Sequence, residues 1–321
     1  KAKTAEEAAK AIDEISAKLT EAKEKWAPTP LEQKYRNPRA HGGTGFSTPT
    51  PVSDGKHVWA VFGNGLVACY TVDGKRKWIR LVAKPTHGHG HAASPILVGG
   101  KLIVAIDSVY ALDPSTGDEI WQAKSKARFG TPVAVKIGGA DALITAEGQI
   151  INAADGKIAR TGMRGLSFNS PVTGDGMVYF VNENEARAYK LPESLDSEGK
   201  PEEAWKVKTS GGRRYASPVF HNGLIYDISD RSSLVVIDAK TGEKAAEKKL
   251  GMKGACYTSL AVAGDYLIAG AEGGEVAVLK TGREPEIISK NKLDKLRSTP
   301  AVVGDRLYLR TMSSLYCIGP K

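Results

Sequence analysis

Residues 94–124 read SPILVGGKLIVAIDSVYALDPSTGDEIWQAK, and this stretch decides the fold. A short apolar run leads into the turn signal Gly99-Gly100; a second apolar run follows, then VYAL, then EIWQA. Each run spans about four to six residues and is bounded by turn formers, which predicts four short strands and leaves no room for a helix. The corner Asp113-Pro114-Ser115-Thr116-Gly117 joins the last two strands. Asp and Ser/Thr side chains bond nearby backbone amides there, Pro presets φ, and Gly117 accepts a positive φ. Trp121 then falls on the outer strand, at a position suited to packing between neighbouring units.

The same pattern recurs along most of the chain, anchored at Pro51, Pro95, Pro132, Pro171, Pro218, Leu260 and Pro300. The intervals are 44, 37, 39, 47, 42 and 40 residues. The residue before each anchor is always a hydroxyl: Thr50, Ser94, Thr131, Ser170, Ser217, Ser259, Thr299. A four-stranded unit repeated about every forty residues is the signature of a β-propeller blade. One small sheet with two apolar faces stays wet unless neighbours cover it, so blades must stack around an axis. The expected fold is therefore an all-β propeller of four-stranded antiparallel blades, with seven repeats visible, in residues 48–321. The anchor hydroxyls read as hydrogen bonders at strand starts rather than as nucleophiles.

With 321 residues, 41% of them hydrophobic and 25% charged, the composition is that of an ordinary globular chain. No apolar run approaches the roughly twenty residues that span a bilayer. Lys1 opens the chain without a methionine or signal sequence, so a processed form or fragment of a longer precursor is expected. The net charge of +9 is spread over turns without interleaved aromatics, which argues for a basic surface rather than a nucleic-acid site. Cys69 and Cys317 align with Ala111 and are expected to be small buried residues on third strands. With Cys256, they show no Cys-x-x-Cys spacing that would suggest metal or redox use.

Residues 1–27 read differently. Ala5, Ala8, Ile12, Ile15, Leu19, Ala22 and Trp26 form an a/d seam flanked by Glu and Lys. Thr4 with Glu7 matches a capping box, and Pro28 and Pro30 end the helix. The seam either lies on the propeller side or pairs, as half of a hairpin or coiled coil, with another polypeptide or another copy. Residues 28–47 read as a connecting loop.

Ala111-Leu112-Asp113-Pro114-Ser115-Thr116-Gly117-Asp118-Glu119-Ile120-Trp121 matches A-x-D-x-x-T-G-x-x-x-W, which resembles the tryptophan-docking motif of pyrroloquinoline-quinone (PQQ) type propeller repeats. Residues 236–242 (VIDAKTG) are a second copy without the tryptophan, and residues 68–78, ending in Trp78, a shortened one. The resemblance covers residues 46–318 and is closest to the extracytoplasmic PQQ-like repeat proteins of bacteria. It implies structural roles for Asp113, Thr116, Gly117, Trp121 and Trp78. It also implies two functional classes: quinoprotein dehydrogenases that bind PQQ with calcium, and an outer-membrane assembly lipoprotein that uses the repeats as a cofactor-free scaffold. The vicinal disulfide of the enzymes is missing, and no Glu/Asn/Asp calcium set can be placed. Family members commonly have eight blades. The seven repeats counted here predict either an eighth blade encoded upstream or a seven-bladed ring closed by an irregular N-terminal strand.

In a propeller, the residues just upstream of each anchor ring one mouth of the central funnel. They are Thr48, His91, Arg128 with Phe129, Phe168 with Asn169, Arg214 with Tyr215, Cys256 with Tyr257, and Arg297. Arginines and aromatics together suit an anionic or planar ligand, or they simply plug the channel. His87, His89 and His91 share a face in extended backbone and suit a transition metal; the glycines between them equally suit a plain rim loop. No G-x-S-x-G elbow exists. The expected function is a non-catalytic, extracytoplasmic protein-binding scaffold, in the periplasm or at the cell surface. The alternative is a PQQ- or metal-dependent oxidoreductase acting at the funnel.

Overall fold

Each repeat folds as its own antiparallel sheet, with strands in chain order from the axis outward. In the computed structural model the described residues are Glu7, Lys10, 13–18, 20–21, 46–126, 128–197, 199–209 and 211–320. Among them are seven sheets, spanning residues 52–81, 96–123, 133–160, 172–208, 219–249, 261–292 and 301–318. Six have four strands and the seventh has three. The protein is an all-β propeller, as the repeat spacing predicts, and of the two blade numbers the sequence leaves open it has seven.

Blade 2 shows how sequence makes a blade. Its strands are Ile96–Val98, Lys101–Ala105, Val109–Leu112 and Glu119–Ala123. Gly99 and Gly100 both take positive φ (55° and 74°), the geometry of the two-residue turn whose twist matches a hairpin. At the outer corner, Asp113 Oδ1 accepts the Ser115 and Thr116 amides at 2.7 and 3.2 Å, and Gly117 sits at φ 77°. The Ser115 hydroxyl, which also donates to Oδ1, and then these amides hold the Asp113 carboxyl below its usual pKa. Opposite Ala111 and Leu112 the fourth strand carries one extra residue, Ile120, a bulge that bends it against the third, and the corresponding bulge recurs in all six four-stranded blades.

Strand alternation gives each blade two apolar faces, and both are covered. Leu102, Val104 and Leu112 pack against Trp59, Val61 and Val67 of blade 1. Ile103, Val109 and Ala111, on the opposite face, pack against Leu143 and Ile151 of blade 3. The same two-sided packing continues through Phe180, Tyr179, Ile225 and Tyr226 to blade 6. The core is thus a set of layers between blades.

Two recurring contacts tie the layers together. In the first, the backbone N–H of each anchor hydroxyl residue donates to the hydroxyl of the next blade's anchor. The bonds run from Thr50 to Ser94 (2.9 Å), Ser94 to Thr131 (2.9 Å), Thr131 to Ser170 (2.9 Å), Ser170 to Ser217 (3.0 Å), Ser217 to Ser259 (3.0 Å) and Ser259 to Thr299 (3.1 Å). The hydroxyls therefore serve the neighbouring blade rather than their own strand.

In the second contact, outer-strand tryptophans lie on the following blade's corner. Trp78, Trp121 and Trp205 donate to the carbonyls of Pro114, Ala153 and Ala239 at 3.0, 3.1 and 2.9 Å. A Cβ on Gly117 would stand 2.6 Å from the Trp78 ring, so the corner glycine is required by the ring as well as by its φ. Blade 5 has no outer tryptophan. Tyr226 takes over there, with its hydroxyl accepting the Gly282 amide at 2.8 Å, while Arg283 reaches Asp238 and Glu243.

The relay of hydroxyls has two ends. Thr50 and Thr299 are exposed, whereas the five anchors between them are half-buried, and no bond joins the two ends among the described residues. Blade 7 leaves Val303, Met312, Leu315 and Ile318 exposed. Cys317, expected to be buried like Cys69, is exposed for the same reason: no described residue packs over that face. Closure by an N-terminal strand falls almost wholly on residues outside the described ones; Phe46, which is described, accepts the Gly63 amide at 2.7 Å.

Residues 1–38 form a separate compact unit from 39–321. Residues 13–18 are helical, with Ile15 exposed. The other seam positions (Ala5, Ala8, Ile12, Leu19, Ala22, Trp26), Thr4, Pro28, Pro30 and His41 lie outside the described residues. No helix among the described residues is long and apolar enough to cross a membrane.

The relay predicts a contrast between two similar substitutions. Ser170→Ala strips the Thr131 amide of its acceptor and is expected to lower unfolding free energy by about 1–3 kcal/mol. Thr50→Ala, whose hydroxyl accepts no anchor amide, is expected to cost less than about 0.5 kcal/mol. Urea denaturation of the two variants beside the parent chain reads the difference.

Candidate functional site

The relay fixes the backbone at every anchor, and strand alternation then assigns the residues upstream of it. Two positions before the hydroxyl stand Phe129, Phe168, Tyr215, Tyr257 and Arg297, all half-exposed at the mouth. The positions on either side mostly point inward: His91, Arg214, Cys256 and Leu296 three before, and Asn169, Ala216 and Thr258 one before, are all buried.

The half-exposed set forms one continuous arc. Phe129 and Phe168 have centroids 5.9 Å apart, Phe168 and Tyr215 5.0 Å, and Tyr215 and Tyr257 4.8 Å. The Arg297 guanidinium lies 4.7 Å over the Tyr257 ring and also donates to Glu272 at 2.8 Å. At the other end His87 meets Phe129 edge-on at 5.3 Å, and His89 stacks on His87 at 5.1 Å. Arg213, which the sequence reading did not single out, donates to the Tyr215 hydroxyl at 2.9 Å. Such ring pairs contribute about 0.5–1.5 kcal/mol each beyond burial, so the arc is a pre-formed surface rather than a set of loose side chains.

Three residues expected at the rim are instead buried behind it. Arg214 is 2% exposed and its Nε donates to Asp227 at 2.6 Å, with Nη1 on the Gly212 carbonyl at 2.5 Å. Burial pushes the Asp227 carboxyl up, against the pull of this guanidinium. Asn169 donates to the Val181 carbonyl at 3.0 Å, bridging to the neighbouring strand of its own blade. His91 is 2% exposed, and its Nε2 has no hydrogen-bond partner among the described residues. Alternation turns all three away from the mouth. Arg128 lies in the same register as Arg214 and is nonetheless exposed.

The three histidines do not converge. His87 and His89 are on the rim, His91 is behind it, and no group of three His, Cys, Asp or Glu side chains that could hold a metal ion occurs among the described residues. Desolvation, with Arg128 and His89 nearby, holds the His87 imidazole below its usual pKa. Burial likewise raises the Cys256 thiol to about 12, which keeps it protonated and unreactive.

Beside Phe129, between blades 3 and 4, a recess of about 260 Å³ is lined by Gly130, Ala146, Leu166, Lys126, Arg128 and Glu147. It shares Lys126, Glu147 and Leu166 with a second, more open recess of about 430 Å³ that reaches Gln149 and Thr161. Gly130 is needed here, since a Cβ would fall 2.3 Å from the Asn169 carbonyl and 2.6 Å from the Ala146 methyl.

The family model described as outer membrane protein assembly factor BamB matches residues 105–320. Among solved structures, BamB from Moraxella catarrhalis is similar at 18% identity and a TM-score of 0.68, covering 84% of this chain and 81% of that one. Sqt1 of Saccharomyces cerevisiae is similar at 13% identity and a TM-score of 0.66, covering 86% and 83%. The computationally designed Ika8 protein is similar at 12% identity and a TM-score of 0.56, covering 88% and 98%. At these identities the likeness to each structure is one of fold. No curated protein matches the chain.

The buried imidazole sets a pH dependence. Folded His91 resists protonation until about 4, whereas an unperturbed histidine takes a proton near 6.5, so the unfolded chain binds more protons between those values. Stability is fully present above pH 6.5 and falls as pH drops toward 4, by roughly 3 kcal/mol from this group. His91→Leu is expected to flatten that slope, read from urea midpoints between about pH 7 and pH 4.5.

Proposed function

This chain belongs to the family of the outer membrane protein assembly factor BamB, and on that premise we propose that it is a non-catalytic scaffold that holds a polypeptide partner at its aromatic mouth. The observation that carries this reading is the arc from His89 to Arg297. Half-exposed rings held by their neighbours at 4.8–5.9 Å give a contact surface that needs little ordering on binding. Aromatic and arginine side chains are also the groups in which interface energy concentrates. The family description supports an extracytoplasmic setting, in the periplasm or at the cell surface of a bacterium.

Two further polypeptide contacts belong to the same proposal. The seam of residues 5–26 is assigned to pairing with another helix, from a partner or a second copy. The face of blade 7 that carries exposed Val303 and Leu315 suits cover by β-structure, from an upstream fragment of the same precursor or from a partner. The family description speaks for a role in assembly rather than in quinone chemistry.

A photo-crosslinking amino acid in place of Phe168 tests the reading in cells that produce the chain. The expected product is a discrete higher-mass adduct containing a second polypeptide, reduced at least about tenfold when Tyr215 and Tyr257 are both alanine. Illumination that yields no polypeptide adduct, with the chain folded, would overturn the proposal.

A further inference from the structure

The recess beside Phe129 has an electrostatic character of its own, and it specifies the partner more closely. Lys126 and Arg128 are exposed at the lip of the recess, and no described acidic side chain forms an ion pair with either. The one carboxylate in the lining, Glu147, is already engaged: it accepts the Ser125 hydroxyl at 3.1 Å and the Lys126 amide at 2.5 Å. Farther along the arc Arg213 is exposed and bonds the Tyr215 hydroxyl, and the charges of Glu183 and Asp230 also act on it. The floor of the recess is apolar and small, formed by Gly130 and Ala146 with Leu166 at the side. At about 260 Å³ it is smaller than the roughly 300–1,000 Å³ of small-molecule sites, and it opens through the shared Lys126, Glu147 and Leu166 into the second recess. An open-ended track with a pocket for one bulky side chain fits a chain that enters and leaves, not an enclosed ligand.

We infer that this track binds an extended acidic segment of a partner polypeptide, with one large apolar side chain seated between Gly130, Ala146 and Leu166 and carboxylates facing Lys126 and Arg128. The segment continues over Phe129 and Phe168, where side chains or peptide planes stack on the rings. The inference rests on the scaffold reading above and adds the chemistry of what is held. A basic segment is disfavoured by Lys126 and Arg128, which a like-charged chain would have to approach.

Three fluorescein-labelled dodecapeptides test it by anisotropy against the full chain. The first alternates aspartate and serine around a central phenylalanine, the second replaces every aspartate by lysine, and the third replaces the phenylalanine by alanine. The first is expected to bind at least about tenfold more tightly than the second and about fivefold more tightly than the third. Its affinity should fall as salt is raised. Lys126→Ala with Arg128→Ala removes two exposed charges and is expected to weaken it about fivefold, with an unchanged melting curve. Equal or tighter binding of the lysine peptide, or an unchanged affinity in the double variant, overturns the inference. If those results accompany a polypeptide adduct at Phe168, the charge assignment alone fails. If no adduct forms either, the scaffold reading fails with it.

Discussion

One hydrogen bond, repeated six times, sets the geometry of this molecule: the backbone N–H of an anchor residue donating to the hydroxyl of the next blade's anchor. Its chemistry explains the sequence motif. In six of the seven repeats a proline follows the hydroxyl, and proline has no N–H to offer. The donor nearest the axis is therefore the anchor's own amide, and the acceptor in reach is the neighbour's side chain. Because the bond fixes where every inner strand starts, it also fixes which upstream residue looks into the mouth. Phe129, Phe168, Tyr215, Tyr257 and Arg297 line up because each is two residues from a bonded anchor.

Away from the axis the constraint changes from hydrogen bonding to packing. A blade is one sheet thick, so both faces are core, and Ile103 and Val104 face different neighbours. At the circumference, tryptophan on glycine performs the task that hydroxyl and amide perform at the centre. Trp78 on Gly117 and Trp205 on Gly242 bring bulky rings against backbone that only glycine leaves open. Where the tryptophan is missing, Tyr226 and Arg283 show that a corner can be held by polar groups as well.

Much of this is legible in the sequence, since it depends on local pattern. The repeat interval, the hydroxyl before each anchor, the Gly99-Gly100 turn and the Asp113 to Gly117 corner all emerge as read. The mouth is legible only in part. A list of upstream residues gathers both sides of a strand, and the register that separates Tyr215 from Arg214 becomes plain only once the anchor bond is seen. Arg214 could not be sorted from sequence alone because Asp227, thirteen residues on, decides its fate. Trp205 escaped notice because residues 191–203 lengthen its corner beyond the motif spacing. Cys317 was misjudged for a different reason: burial of a third-strand residue depends on what lies over the blade, and sequence alignment with Cys69 carries no such information.

Among the described residues the relay has two ends, and an anchor at an end keeps one relay partner instead of two. Ser94, Thr131, Ser170, Ser217 and Ser259 each donate to one blade and accept from another, so shifting any of them disturbs two neighbours at once. Thr50 only donates and Thr299 only accepts, so the relay loosens most cheaply at these two positions. Phe168 and Tyr215 stand beside anchors bonded on both sides, which makes the middle of the arc the part whose backbone is best held, while Arg297 stands beside an end.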